Sequence, residues 1–360
     1  MKAILPMAGP GTRLRPFTYT QPKHLIKIAG KPFIEYILRT LLQAEINEMI
    51  LVVGYRKDQI IDQLGDGAKL GFRINYAVQN QPKGIADAIL SSEKLIEDEP
   101  FIVYLPDTII PSGIKRYVKL FLELNTYALI LTSKLPRSKL KSAGTVQTDK
   151  NGKVTKLEEK SPSPKSNLAL AGVYFFGTPV IFDIIKRLAP SRRGELEITD
   201  AIQRLIDEGY PVQNQTIPKE YIDIGNSEGL LRANRYILSS VENVNEGKLE
   251  GGVNLKGDMR IGEGTIIRRN SKLHGPLYIG RKCQIGPSTS IGPYVSIGNN
   301  TTIRGGNISN MIIMNGSQLN IKGTISRSII GENTKVIDKS GEGKELKRTL
   351  ILGDHSSITI

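Results

Sequence analysis

The 360-residue chain has one cysteine, Cys283, and three widely separated histidines, His24, His274 and His355. A single thiol excludes an internal disulfide and any cysteine-only metal cluster, and it suggests a reducing, cytoplasmic setting. Scattered imidazoles argue against a histidine-based zinc site. No apolar run approaches the ~20 residues that carry a helix across a bilayer. The hydrophobic start of the chain is too short for a secretory leader and reads as a first strand, so no membrane association is expected. Acid is scarce as well. Lys and Arg total 49 against 35 Asp and Glu, a net charge of +14, and no acidic residue precedes Glu35. That imbalance points to an anionic partner, either nucleic acid or phosphorylated small molecules. Nucleic acid is disfavoured, because no basic stripe with interleaved aromatics and no known reader motif is present.

What is present has two periods, and the length allows two domains. Up to about residue 244, apolar strand-like runs alternate with amphipathic helical patterns. Residues 3–5, 49–53, 74–78, 101–105 and 129–131 read as buried strands. Ile34, Ile37, Leu38, Leu41 and Leu42 repeat at helical spacing, with Pro32 in the expected first turn, and 84–96 and 114–124 are further helix candidates. Such alternation predicts βαβ units, a mostly parallel sheet, and a ligand site beyond the carboxyl ends of its strands. Asn234–Val241 reads as a last helix.

Beyond residue 244 the pattern changes. Leu249, Leu255, Ile261, Ile267, Leu273, Ile279, Ile285, Ile291, Ile297 and Ile303 recur every sixth position, and Ile313, Leu319 and Ile325 resume the pattern after a slip. A six-residue repeat predicts a parallel β-helix, because one turn cannot bury its own apolar row but stacked turns can. Three hexads per turn give about five or six turns. The expected domains are therefore 1–244 and 245–360.

The chemistry is concentrated near the start. Ala8-Gly-Pro-Gly-Thr-Arg-Leu-Arg-Pro16 follows the first predicted strand, and Lys23, Lys27 and Lys31 come after it. Small residues let backbone N–H groups approach a phosphate chain as an anion-binding nest. The third glycine of a dinucleotide fingerprint is missing, and so is the Gly-Lys-Ser/Thr of a P-loop.

This segment, with Lys31-Pro32, resembles the signature of sugar-phosphate nucleotidyltransferases. Further likenesses follow in order: Gln79–Gly84, Leu105–Thr108, Leu157–Lys160, Pro164–Asn167, Arg193–Asp200 and Tyr221–Gly225. Arg193-Gly-Glu-Leu-Glu-Ile-Thr-Asp200 and the tail Ile351–Ser356 resemble the long form of glucose-1-phosphate thymidylyltransferases. That form joins a Rossmann-like α/β catalytic domain to a C-terminal left-handed β-helix of hexapeptide repeats.

The resemblance implies transfer of a nucleotidyl group from dTTP to α-D-glucose 1-phosphate, giving dTDP-glucose and pyrophosphate. Arg13 would hold the β/γ-phosphates, and Lys23 would contact the α-phosphate and the sugar phosphate. Ala8, Gly9, Gly11 and Thr12 would supply backbone amides. Asp107 and Asp223 would bind Mg2+. Gln79 and Gly84 would read the pyrimidine edge. Gly144, Glu159, Lys160, Leu170 and Arg193 would contact the sugar and its phosphate, while Glu158 is expected in solvent.

Departures from the family pattern at Ala8, Pro10, His24, Lys27, Pro106 and Thr108 leave base and sugar choice open. The alternatives are a UTP-dependent uridylyltransferase for glucose or N-acetylglucosamine 1-phosphate, with acetyl transfer in the coil, and a non-catalytic binding homologue. His274 is expected at a corner of the coil, and the coil's flat sides suggest a homo-oligomer. Residues 245–360 hold 16 basic and 9 acidic groups, so 16 − 9 = +7, half of the net charge, lies in the coil without a catalytic explanation.

Overall fold

The structure, a computed structural model, describes residues 1–124, 126–177, 180–339 and 347–360. The chain forms two compact units. One comprises Met1–Pro10 and Ile34–Ile222, the other Gly11–Phe33 and Asp223–Ile360. This division differs from the change of period at 244/245. The period marks where the coil begins, at the short strand Val244–Asn245. It carries no information about the distant segment 11–33, which joins the coil's unit.

The first unit is built on one sheet. Its strands are β1 (Lys2–Pro6), β2 (Glu48–Val53), β3 (Arg73–Val78), β4 (Phe101–Tyr104), β5 (Ala128–Lys134), β6 (Thr145–Thr148), β7 (Val154–Glu158), β8 (Leu168–Phe176) and β9 (Val212–Thr216). The order across the sheet is β7-β6-β8-β4-β1-β2-β3, with β5 pairing β8 and β9 pairing β5. Strands β4, β1, β2 and β3 are parallel, and β9 is parallel to β5. Strand β8 runs antiparallel to β4, β5 and β6. The continuous apolar runs of β1, β2 and β4 are explained by burial: Ile4, Val52 and Val103 are wholly inaccessible. The carboxyl ends of β1, β3 and β4 lead into Ala8, Gln79 and Asp107 respectively.

The helices follow the apolar spacing with local corrections. Helix α1 (Phe33–Gln43) starts one residue after Pro32, which instead lies in a two-residue strand pairing Lys31–Pro32 with Lys27–Ile28. The expected helix over 84–96 is split into α2 (Ile85–Leu90) and a short 3-10 turn at Glu93–Leu95. Ser92 Oγ donates to the Ile89 carbonyl at 2.6 Å, so a side chain takes the place of the next helical hydrogen bond. Helices α3 (Lys115–Glu123) and α4 (Ile198–Asp207) present apolar faces to the core.

In the second unit, helix α5 (Ser227–Leu238) begins earlier than the sequence suggested. Asn226 caps it, accepting from the Gly229 amide at 2.9 Å. Asn234 of α5 donates to the Tyr294 carbonyl at 3.1 Å, fastening the helix to the coil.

The coil stacks parallel strands in register. Leu249 pairs with Ile267, Ile267 with Ile285, and Ile285 with Ile303. These are steps of 18 residues (267 − 249), three hexads per turn. The phase slip before Ile313 is a shorter turn of 16 residues from Ile303 to Leu319. One face carries seven strands among the described residues, against five or six turns expected. The extra turns lie past the slip, at Val336 and Ile358, where the hexad count had lost the phase. Ile261, Ile279 and Ile297 stack in one fully buried column of the coil's interior, and Ile285 and Ile303 in another. His274 ends a strand with its side chain exposed.

Candidate functional site

In the first unit, Ala8, Gln79 and Gly54 meet at the strand ends. The Ala8 carbonyl accepts from the Tyr55 amide at 3.0 Å. A Cβ on Gly54 would lie 2.8 Å from both the Ala8 methyl and the Gln79 carbonyl oxygen. The methyl at position 8, where the family pattern has glycine, is therefore accommodated because residue 54 has no side chain. Gly9 has open space where a Cβ would stand.

Gln79 is 5% exposed. Its Nε2 donates to Asp87 Oδ2 at 2.6 Å and to the Gly84 carbonyl at 3.2 Å. Gly84 has φ +106°, and a Cβ there would meet the Leu196 carbonyl oxygen at 2.4 Å. Two backbone bonds join the segments, Leu196 N–H to the Lys83 carbonyl at 2.7 Å and Ala86 N–H to the Leu196 carbonyl at 3.1 Å. The loop expected to read a base is thus fixed to the Arg193–Asp200 segment.

A second cluster in this unit brings together five of the six residues expected to contact the sugar and its phosphate; the sixth, Lys23, belongs to the second unit. The Leu170 amide donates to the Gly144 carbonyl at 2.9 Å. A Cβ on Gly144 would lie 2.8 Å from Leu170 Cδ1, 3.0 Å from Thr199 Cγ2 and 3.1 Å from Glu159 Oε2. Glu159 accepts from Thr199 Oγ1 at 3.3 Å and faces Lys160 at 3.6 Å and Arg193 at 3.5 Å. Burial pushes the Glu159 carboxyl above the usual carboxylate range, with the Glu197 charge adding to the shift and the Lys160 and Arg193 charges opposing it. Arg193 Nη2 is also 2.7 Å from Glu197 and 3.0 Å from Glu195. Burial opposes the guanidinium charge, but the carboxylates outweigh it and hold the Arg193 pKa above its ordinary value.

Glu158 corrects an expectation. It is half-buried, and its Oε2 has no hydrogen-bond partner. The pairing of β7 with β6 is irregular between Val154 and Lys156. From Lys156 onward the register is regular and Leu157 is buried, so Glu158 lies on the face opposite Leu157 and is covered only in part.

Asp107 is half-buried in the turn after β4, between the buried residues Pro106 and Thr108.

The second unit holds Gly11, Thr12, Arg13, Lys23 and Asp223. Gly11 has φ +63°, and a Cβ would stand 3.1 Å from Lys23 Cβ and from Thr18 Cγ2. The Thr18 hydroxyl donates to the Gly11 carbonyl at 2.9 Å, drawing the loop shut. Thr12 and Arg13 form a 3-10 turn with Leu14, whose side chain is buried while theirs are exposed. Asp223 is half-buried between Ile222 and Ile224, and its Oδ1 accepts from the Gly225 amide at 2.7 Å. A Cβ on Gly225 would lie 2.9 Å from Arg13 Nη2 and 3.0 Å from either Asp223 carboxylate oxygen. Arg13 and Asp223 thus converge on a position that only glycine fills without displacement.

A family profile described as nucleotidyl transferase matches residues 2–240. The chain belongs to the nucleotidyl transferase family. A second profile, the GMPPB C-terminal domain, matches residues 273–359. A glucose-1-phosphate thymidylyltransferase of Streptomyces antibioticus is 38% identical over 362 residues, covering all of this chain and 99% of the relative. The bifunctional protein GlmU of Methanocaldococcus jannaschii is 34% identical over 337 residues, covering 92% of this chain and 78% of that protein. Among solved structures, UDP-glucose pyrophosphorylase complexed with UDP-glucose matches with a TM-score of 0.59 at 28% identity, covering 66% of this chain and 98% of that one.

Within this nucleotidyl transferase, sequence reasoning missed Gly54, Asp87, Thr199, Glu197 and Gly225. Glu197 and Thr199 lie inside the Arg193–Asp200 motif and could have been weighed with it. Gly225 ends another motif that was noted only for its aspartate. Gly54 and Asp87 carry no sequence signal of their own, since their roles arise from close approach to the ends of other elements.

Proposed function

We propose that the chain couples a nucleoside triphosphate to a sugar 1-phosphate, with dTTP and α-D-glucose 1-phosphate as the preferred pair. The observation that carries this reading is the cluster of Gly144, Glu159, Lys160, Leu170 and Arg193. It combines a carboxylate able to accept sugar hydroxyls with two cations able to meet a phosphate. The full-length likeness to a thymidylyltransferase supports the choice of nucleotide.

In this reading an oxygen of the sugar phosphate attacks the α-phosphorus of the triphosphate. One P–O bond forms, the bond to the β-phosphate oxygen breaks, and pyrophosphate leaves. Arg13 stabilises the charge that develops on the leaving group. Lys23 screens repulsion between the two anions, and backbone amides of Ala8, Gly9, Gly11 and Thr12 hold phosphate oxygens. Gln79 receives the base. With its Nε2 held by Asp87, its Oε1 is the end that accepts from a pyrimidine N–H.

Asp107 and Asp223 suit Mg2+ as the cation. Both are half-buried oxygen donors, and among the described residues no group of three or more His, Cys, Asp or Glu forms a cage. Mg2+ characteristically takes one or two carboxylates together with substrate phosphates and water. When bound, it would neutralise phosphate charge. We extend the reading to a homo-oligomer associating through the flat sides of the coil.

UTP is the alternative donor, because the edge read by an amide is common to uracil and thymine. A panel of dTTP and UTP against glucose 1-phosphate and N-acetylglucosamine 1-phosphate, read by pyrophosphate release, tests the proposal. The highest turnover is expected with dTTP and glucose 1-phosphate, and chelation of Mg2+ should stop it. Nucleotide binding with no pyrophosphate from any pair would point instead to a non-catalytic homologue.

A further inference from the structure

Residues 11–33 carry Arg13 and Lys23, yet they pack with the coil in the second unit. The first 34 residues of the chain contain six basic side chains and no acid. Two acidic partners of this segment come from more than 300 residues away. Lys27 Nζ lies 3.0 Å from Glu332 Oε1. Thr20 Oγ1 donates to Asp354 Oδ2 at 2.5 Å.

These two carboxylates end a ladder of side chains up one corner of the coil. The Arg281 amide donates to Asn299 Oδ1 at 2.8 Å, and the Asn299 amide to Asn315 Oδ1 at 2.9 Å. Asn315 Nδ2 donates to Glu332 Oε1 at 3.1 Å, and the Glu332 amide to Asp354 Oδ1 at 2.7 Å. The ladder fixes Glu332 and Asp354 to successive turns of a rigid stack before either meets the segment. Close packing adds to these bonds. A Cβ on Gly353 would lie 2.9 Å from Pro16 Cβ, and one on Gly30 would lie 2.1 Å from Tyr278 Oη. The coil therefore grips the segment at Pro16, Thr20, Lys27 and Gly30, on both sides of Lys23 and just after Arg13.

We propose that Glu332 and Asp354 are positioning residues, and that the last turns of the β-helix brace the segment bearing Arg13 and Lys23 in its working conformation. The inference rests on the roles assigned to Arg13 and Lys23 under the proposed function. Ordering an irregular segment has an entropic cost. Contact with a rigid ladder meets that cost before substrate arrives, which acts on the reaction step more than on binding. It also gives the coil a duty besides assembly.

The test compares full-length wild type with Glu332→Gln, Asp354→Ala, the double variant and Asp354→Asn. Steady-state kinetics and hydrogen exchange of the 11–33 amides are measured on each. Glu332→Gln and Asp354→Ala are expected to lower kcat by about tenfold while either KM moves less than about threefold, since small misplacement acts on the reaction step. Exchange in 11–33 should rise and the melting temperature should stay nearly constant. Asp354→Asn, which keeps an acceptor for the Glu332 amide and a partner for Thr20, should recover most of the activity. Unchanged exchange in the double variant would overturn the brace whatever the activity. Raised exchange with unchanged kcat would overturn the positioning role. Wild type that turns over no substrate pair would sink the proposed function, and exchange alone would then judge the brace.

Discussion

Gln79 Nε2 donates to Asp87 Oδ2 at 2.6 Å, the shorter of two bonds, with that to the Gly84 carbonyl at 3.2 Å, that decide which end of the amide faces a ligand. A carboxylate only accepts, so the amide nitrogen must point toward it and the carbonyl oxygen away. Asp87→Asn removes the stronger demand, because the new side chain can donate or accept, and leaves only the longer bond to the Gly84 carbonyl to keep the amide of Gln79 from turning over. The KM for the nucleotide is expected to rise by about tenfold, equivalent to ~1.4 kcal/mol of lost recognition. The KM for the sugar phosphate should hardly change. Initial rates with each substrate varied in turn check this, and equal effects on both would reject a base-reading role.

The order of the motifs and the apolar rows of the coil were legible because both repeat signals along the chain. Leu249, Ile267, Ile285 and Ile303 share one face because three hexads close one turn, and the sequence displays that arithmetic directly. The supports of the site were not legible. Asp87 is eight residues from Gln79 but reaches it only because α2 turns back beneath the end of β3. Gly54 matters only because Ala8 and Gln79 approach it from other strands. Glu332 meets Lys27 across 305 residues of chain, and no local pattern records such an encounter.

Glu159 gives a prediction with a definite sign. Its carboxyl binds a proton more tightly in the folded state, chiefly through burial. Its contribution therefore favours the fold at low pH and is lost as pH rises through the raised value. Glu159→Gln fixes the neutral form. Thermal melts should show wild type and variant matching at pH 4 and the variant more stable by pH 7. The same variant should raise the KM for the sugar phosphate about tenfold or more, the range for a lost hydrogen bond to a charged group. A variant less stable than wild type at pH 7 would mean that the attraction of Lys160 and Arg193 outweighs burial.

Cys283 is fully buried in the coil, with Sγ 3.1 Å from the Gly298 carbonyl oxygen. Burial raises the thiol pKa, so little thiolate forms at neutral pH. A thiol reagent such as dithiobis(nitrobenzoate) should react at the rate of coil opening rather than at the rate of a free thiol. Reaction should be complete within minutes once the protein is unfolded in guanidinium. Fast labelling of the native protein would show that the turns around Cys283 open readily.

Gly225 offers the sharpest separation of catalytic geometry from folding. A methyl there would lie 2.9 Å from Arg13 Nη2 and 3.0 Å from the carboxylate oxygens of Asp223. All three atoms belong to side chains, so the backbone need not move and the fold should survive. Gly225→Ala is therefore expected to melt within a few degrees of wild type while displacing both charged groups together. If Arg13 serves the leaving pyrophosphate and Asp223 the cation, two consequences follow. Turnover should fall by about a hundredfold, the scale of a 1 Å misplacement. The Mg2+ concentration needed for half-maximal rate should also rise. Arg13→Lys, which leaves Asp223 undisturbed, should lower turnover without that rise in Mg2+ requirement. Should Gly225→Ala keep wild-type turnover at low Mg2+, neither residue could hold the role assigned to it.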